Sequence, residues 1–175
     1  MKKRYLFAAA LVSTLLFAGC NKKVQQKPVE TVKSGKVAPA VAIARPFDSG
    51  ELTDQFGRKG RVTPDTKKVM MVFSKATGHL VKTYLNEKPA DYLAKEHVVF
   101  IADVSGMPSF ILKYMALPDL QKHRYPIYLI TDEKKAEKFK PKGHEDQIMI
   151  IDLNHGVVEE VEFVTTKKDL QEAID

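Results

Sequence analysis

Cysteine occurs once in the 175 residues, at position 20. A single thiol cannot close an intrachain disulfide or form a Cys-x-x-Cys redox pair, so dithiol chemistry within one chain is excluded whatever the fold. The sequence also lacks G-x-G-x-x-G and P-loop patterns, which leaves nucleotide and flavin cofactors without a basis. His79, His97, His123, His144 and His155 show neither H-x-x-x-H nor H-E-x-x-H spacing. They read as surface residues, and neither a metal nor any other cofactor is expected. Ser105 and Ser109 flank Gly106 without a G-x-S-x-G frame. No basic stripe interleaved with aromatics is present, so nucleic acid is not an expected partner. The longest apolar stretch, Tyr5 to Phe17, is too short to span a bilayer.

That stretch has instead the length of a secretory signal, behind the positive residues Lys2, Lys3 and Arg4. It ends Leu16-Phe17-Ala18-Gly19-Cys20, which resembles the lipobox of bacterial lipoproteins. The small pair lets a peptidase grip an extended backbone, and the thiol is the nucleophile that takes the diacylglyceryl group. The resemblance implies that residues 1–19 are removed and that Cys20 becomes the lipidated first residue of the mature chain. One acyl chain holds a protein only marginally, at about 0.8 kcal/mol per buried methylene, so stable anchoring needs the several chains of a lipoprotein. The expected first partner is therefore a lipid membrane, and the expected location is the cell envelope. Asn21 stands where aspartate would signal inner-membrane retention in a Gram-negative host, which points to the periplasmic side of the outer membrane. Lipidation would also consume the only sulfhydryl, leaving no cysteine nucleophile.

The whole chain carries 28 basic and 22 acidic residues. Removing residues 1–19 takes away three basic residues and no acidic ones, leaving 25 against 22, a net charge of +3. The remaining bias suits an anionic membrane face.

Residues 20–44 are rich in Lys, Gln, Val, Pro and Ala without a helical or alternating period, and are expected to form the lipidated N-terminus and a flexible tether. Such a tether would span roughly 25–30 Å. Residues 45–175 then form one domain. Glu51 to Val62 reads as a hairpin around Gly57 and Gly60, and Lys68 to Phe73 as a strand buried on both faces. His79 to Glu96 reads as a helix ended near Lys88 by Pro89, and Val98 to Asp103 as a second buried strand. An amphipathic helix from Pro108 to Pro118 carries Phe110, Ile111, Tyr114, Met115 and Leu117, and Met107 and Met115 are expected to fill core gaps. Ile127–Ile130 is a third strand, and Asp132–Lys140 a short helix with Ala136 and Phe139 facing inward. Gln147–Asp152 and Val157–Phe163 form a hairpin around Asn154-His155-Gly156, and Thr165 or Thr166 caps a last helix. The expected class is α/β, a mixed central sheet with helices on both faces and an antiparallel C-terminal hairpin.

Three segments carry a family resemblance: L-T-D-Q-F-G-R-K-G, V-S-G-M-P-S-F through Y-P-I-Y-L-I-T-D, and I-M-I-I-D-L-N-H-G-V-V. Their order over residues 46–175 resembles the thioredoxin-like superfamily, in particular the redoxin branch that holds the peroxiredoxins and periplasmic YtfJ-like proteins. The resemblance implies a thioredoxin-like (redoxin) fold with its reactive thiol at the start of the helix after the first core strand, where amides and the helix dipole stabilise a thiolate. Here that stretch reads Ser74-Lys75-Ala76-Thr77-Gly78-His79-Leu80-Val81-Lys82, without cysteine. Asp146 and Gln147 stand where thioredoxins carry a cis-proline. The resemblance thus implies neither a thiol-disulfide oxidoreductase nor a cysteine peroxidase. Thr77, Gly78, His79, Lys82, Asp146 and Gln147 are the candidate ligand-binding residues of a non-catalytic module for an envelope protein partner or a small ligand. The alternative is an envelope redox accessory or enzyme using His79 and Lys82 with a cofactor that no motif reveals.

Overall fold

The computed structural model describes residues 27–175. The signal segment and Cys20 lie outside them. In chain order the strands and helices are β1 (Glu30–Val32), β2 (Lys36–Ala38), β3 (Val41–Ala42), β4 (Leu52–Asp54), β5 (Lys59–Gly60), β6 (Lys68–Val72), α1 (Lys75–Leu85), α2 (Tyr92–Lys95) and β7 (Val98–Asp103). They continue with α3 (Ser109–Ile111), a π-helical stretch (Leu112–Ala116), α4 (Leu117–Leu120), β8 (Tyr128–Ile130), α5 (Glu133–Phe139), β9 (Ile148–Asn154), β10 (Val157–Val164) and α6 (Lys167–Ile174).

Eight strands form one sheet in the order β1-β10-β9-β6-β7-β8-β4-β5. β6, β7 and β8 run parallel, whereas β9 pairs antiparallel with β6 and β4 with β8. Strand period two divides the interior. Met70, Val72, Phe100 and Ile150 face a core closed by Val81 and Leu85 of α1 and Leu170 and Ile174 of α6. Val69, Met71, Ile101 and Ile151 face a second core beneath Ala136 and Phe139 of α5. Helices therefore cover both faces, as the uninterrupted apolar runs of β6 and β7 require. At the far end of α1 the hydroxyls of Tyr84 and Tyr92 lie 2.6 Å apart, and Asp175 accepts from Tyr84 at 3.0 Å and from Lys88 at 3.0 and 3.1 Å.

Three expectations change. The flexible tether assigned to residues 20–44 is folded from Glu30 on: β1 pairs with β10 from Glu30 opposite Phe163 to Val32 opposite Val161. Ala38 and Val41 are buried in the core beside Phe47. Strands of two or three residues are too short to show a period, so tertiary pairing decides this segment. The helix expected from His79 to Glu96 starts at Lys75 and ends at Leu85, with α2 a separate turn.

The third change concerns the helix after β7. It does not stop at Pro118, which lies in the first turn of α4. Proline removes a backbone donor, and the π-helical turn ahead of it, closed by Leu117 N–H on Leu112 O, accommodates that loss. The five-residue step also brings Leu112 and Leu117 together against the core with Leu120. Phe110, Tyr114 and Met115 face outward instead, each 64% exposed. Met115 is thus a surface residue, whereas Met107 does pack against the core.

Candidate functional site

Ser74, two residues beyond β6, is extended, with φ −135° and ψ 158°, and caps α1. Its hydroxyl accepts from Thr77 N–H at 3.3 Å, and Thr77 Oγ1 accepts from Ser74 N–H at 3.3 Å. This reciprocal cap satisfies two amide donors at a helix start, with threonine in the place usually held by Glu or Gln. The two hydroxyl oxygens are 3.0 Å apart, and Thr77 Oγ1 also donates to Ser74 O at 3.0 Å. Thr77 is buried, with its polar atoms engaged. Gly78 lies over Val72, and His79 is exposed. Lys82 points away along α1 to Asp119, whose carboxylate it meets at 2.9 Å and holds below the ordinary carboxylate range.

The register of β9 on β6, Met71 opposite Met149, sets the start of β9 beside the end of β6. Gln147 thus shares a sheet end with Ser74 and Thr77. It is buried, with Oε1 2.7 Å from His144 Nδ1, and His144 stacks on Phe163 at 4.1 Å between ring centroids. Asp146 is exposed, and the described residues contain no cis peptide bond, so the Tyr125–Pro126 bond is trans. The fold therefore gathers Thr77, Gly78, His79, Asp146 and Gln147 at one end and sends Lys82 elsewhere. Among the described residues no hydrogen bond joins 74–82 to 144–147. Nor do three His, Asp or Glu groups converge there on a metal position.

Open space lies beside this end. A groove of about 560 Å³ runs between the β4–β5 hairpin and the helix after β7, floored by Leu52, Leu112, Leu117 and Leu129 and rimmed by Asp132 and Lys135. A smaller recess of about 210 Å³ is lined by Asn86, Lys88, Lys122, His123, Arg124 and Tyr125. There His123 stacks on Tyr125, and burial together with the charge of Lys82 lowers its basicity. None of the six candidate residues lines either space. Sequence reasoning missed the groove because its walls come from segments about sixty residues apart; the one available signal was an apolar set at 110–117 too wide for one helix face.

No protein-family model and no curated protein matches the chain. Solved structures do. The C-terminal domain of an uncharacterized protein from Bacteroides fragilis is 13% identical at a TM-score of 0.50, over 79% of this chain and 100% of that one. The thioredoxin domain of a thiol-disulfide oxidoreductase from Bacteroides vulgatus is 16% identical at a TM-score of 0.48, over 82% and 99%. A peroxiredoxin-like protein from Aquifex aeolicus is 14% identical at 0.45, over 82% and 99%. The chain shares its mixed α/β architecture with the Bacteroides fragilis domain. At such identities the likeness concerns architecture alone. Within this domain, the helix that follows the first central strand begins with the Ser74–Thr77 hydroxyl pair, and no cysteine occurs in the described residues.

Proposed function

We propose that this protein is a lipid-anchored module of the cell envelope whose thioredoxin-like domain binds a protein partner or a small ligand without thiol chemistry. The observation that carries this reading is the start of α1. Ser74 and Thr77 satisfy each other and the helix amides where a redox enzyme of this fold would hold a thiolate. A nucleophile needs a free lone pair and an adjacent base, and here the nearest imidazole of that helix, His79, is exposed on its outer side. The binding surface is the sheet end with Thr77, Gly78, His79, Asp146 and Gln147, together with the groove that opens where β8 ends, at Ile130–Asp132. Anchoring rests on Cys20 and its lipobox, and Asn21 favours the periplasmic side of the outer membrane in a Gram-negative host.

Two measurements test this. Cys20→Ala should abolish incorporation of labelled palmitate and release the protein from membranes; unchanged labelling would refute the anchor. The full chain should turn over neither insulin disulfides nor hydroperoxides. Turnover that disappears on changing Thr77, His79 or Lys82 would replace the binding role with catalysis.

A further inference from the structure

We propose that the outward face of the helix after β7, built from Phe110, Ile111, Tyr114 and Met115, seats this domain on the lipid surface to which its N-terminus is tied. The inference rests on the anchoring reading above. Phe110, Tyr114 and Met115 are each 64% exposed and Ile111 is 37% exposed, and the Phe110 and Tyr114 rings touch at 5.8 Å between centroids. Lys113 holds its ammonium 5.4 Å from the Tyr114 ring centre. Large apolar side chains clustered on one exposed helix face call for a partner. Aromatic rings beside a lysine are the mixture that settles at headgroup depth, with the rings in the acyl boundary and the ammonium among phosphates.

Chain length and topology choose lipid over other occupants. Cys20 and Lys27 are seven residues apart, so an anchor at Cys20 lies no farther than about 25 Å from Lys27 even with the chain fully extended. Lys27 is fixed to the domain, since its carbonyl accepts from Thr165 Oγ1 at 3.1 Å and its ammonium donates to Gly143 O at 3.4 Å. Thr165 follows the C-terminal end of β10, which is the end where β9 begins and where β6 and β7 finish. Ser109 starts its helix just beyond that same end of β7. The tether exit and the first turn of the apolar helix therefore share one end of the sheet, and a short tether must hold that end toward the bilayer. The acyl chains fix the protein to the bilayer, and the patch adds a second contact that orients the domain on it. The binding surface proposed above then opens at headgroup level.

The chain contains no tryptophan, so Tyr114→Trp creates a sole reporter at an exposed position. The full-length lipidated variant, and a Lys67→Trp control at the opposite end of β6, would be reconstituted in phosphatidylethanolamine–phosphatidylglycerol vesicles and tested by flotation and by brominated lipids. The expected result is flotation of both, with blue-shifted emission and quenching for position 114 only. Flotation with unshifted, unquenched Trp at 114 overturns the inference and leaves the anchor intact. Failure to float overturns the anchor and this inference with it. A blue shift that appears without vesicles and grows with protein concentration assigns the face to a second copy of the chain and equally overturns it.

Discussion

The carboxamide of Gln55 brackets Pro126: its Nε2 donates to Tyr125 O at 2.8 Å, and its Oε1 accepts from Ile127 N–H at 2.8 Å. Gln55 is buried, so this one side chain satisfies the backbone on both sides of a residue that has no donor of its own. Gln55→Leu strands a carbonyl and an amide in the interior and should cost about 2–4 kcal/mol in urea unfolding. A loss under about 0.5 kcal/mol, the range of an indifferent surface change, would contradict this role.

Asp54 predicts a pH dependence. Burial opposes its charge, but the amides of Arg58 and Phe56 and the Arg58 guanidinium outweigh that cost and hold the carboxyl below its ordinary range. A depressed carboxylate means that the unfolded chain binds more protons. The stabilisation is then complete above about pH 4 and disappears as pH falls through the folded value. Asp54→Asn should therefore destabilise at pH 7, and the gap to the parent should narrow steadily below pH 4. A gap constant from pH 7 to pH 2 would remove Asp54 from the acid response.

Ser74→Ala should cost about 1 kcal/mol through loss of the cap on α1, and Ser74→Asp, another good capping residue, should recover most of it. Thermal unfolding of the three proteins separates the cap from any effect of side-chain volume. Equal melting of parent and Ala variant would show that the helix start does not depend on this hydroxyl.

Gly60 is required for space. A Cβ there would lie 2.6 Å and 2.7 Å from ring carbons of Tyr128. Gly60→Ala should destabilise by about 1–3 kcal/mol, as overpacking does. Tyr128→Ala in the same chain should reduce the penalty of the added methyl toward zero. Equal penalties in both backgrounds would show that the ring is not the obstacle.

The sequence showed those elements whose signals are local. The burial of β6 on both faces follows from its consecutive apolar residues Val69 to Val72, and the turn at His155-Gly156, with φ of 49° and 81°, follows from Asn-x-Gly chemistry. Ala136 and Phe139 face inward as their spacing implied. What escaped depends on distant partners. β1 exists because β10 offers it an edge, the role of Gln55 is set by residues seventy positions away, and the outward turn of Met115 follows from a π-helical turn no period describes. The candidate residues divide in the same way. Thr77 and Gln147 reach one sheet end through the β6–β9 register, whereas Lys82 is drawn off by Asp119, a partner 37 positions away.

Strand β1 has a mechanical consequence. Among the described residues it is the first element, and it lies at the sheet edge on β10. Tension applied through the N-terminal segment meets Lys27, held to Thr165 and Gly143, and then the ladder that starts with Glu30 opposite Phe163. Pulled along the strand axis, the bonds of this short ladder carry the load together; pulled sideways from the edge, they open one after another. The direction of pull thus determines whether the strand acts as a clamp or a zipper, and a domain held with its tether exit toward the anchor takes the load in the stronger geometry.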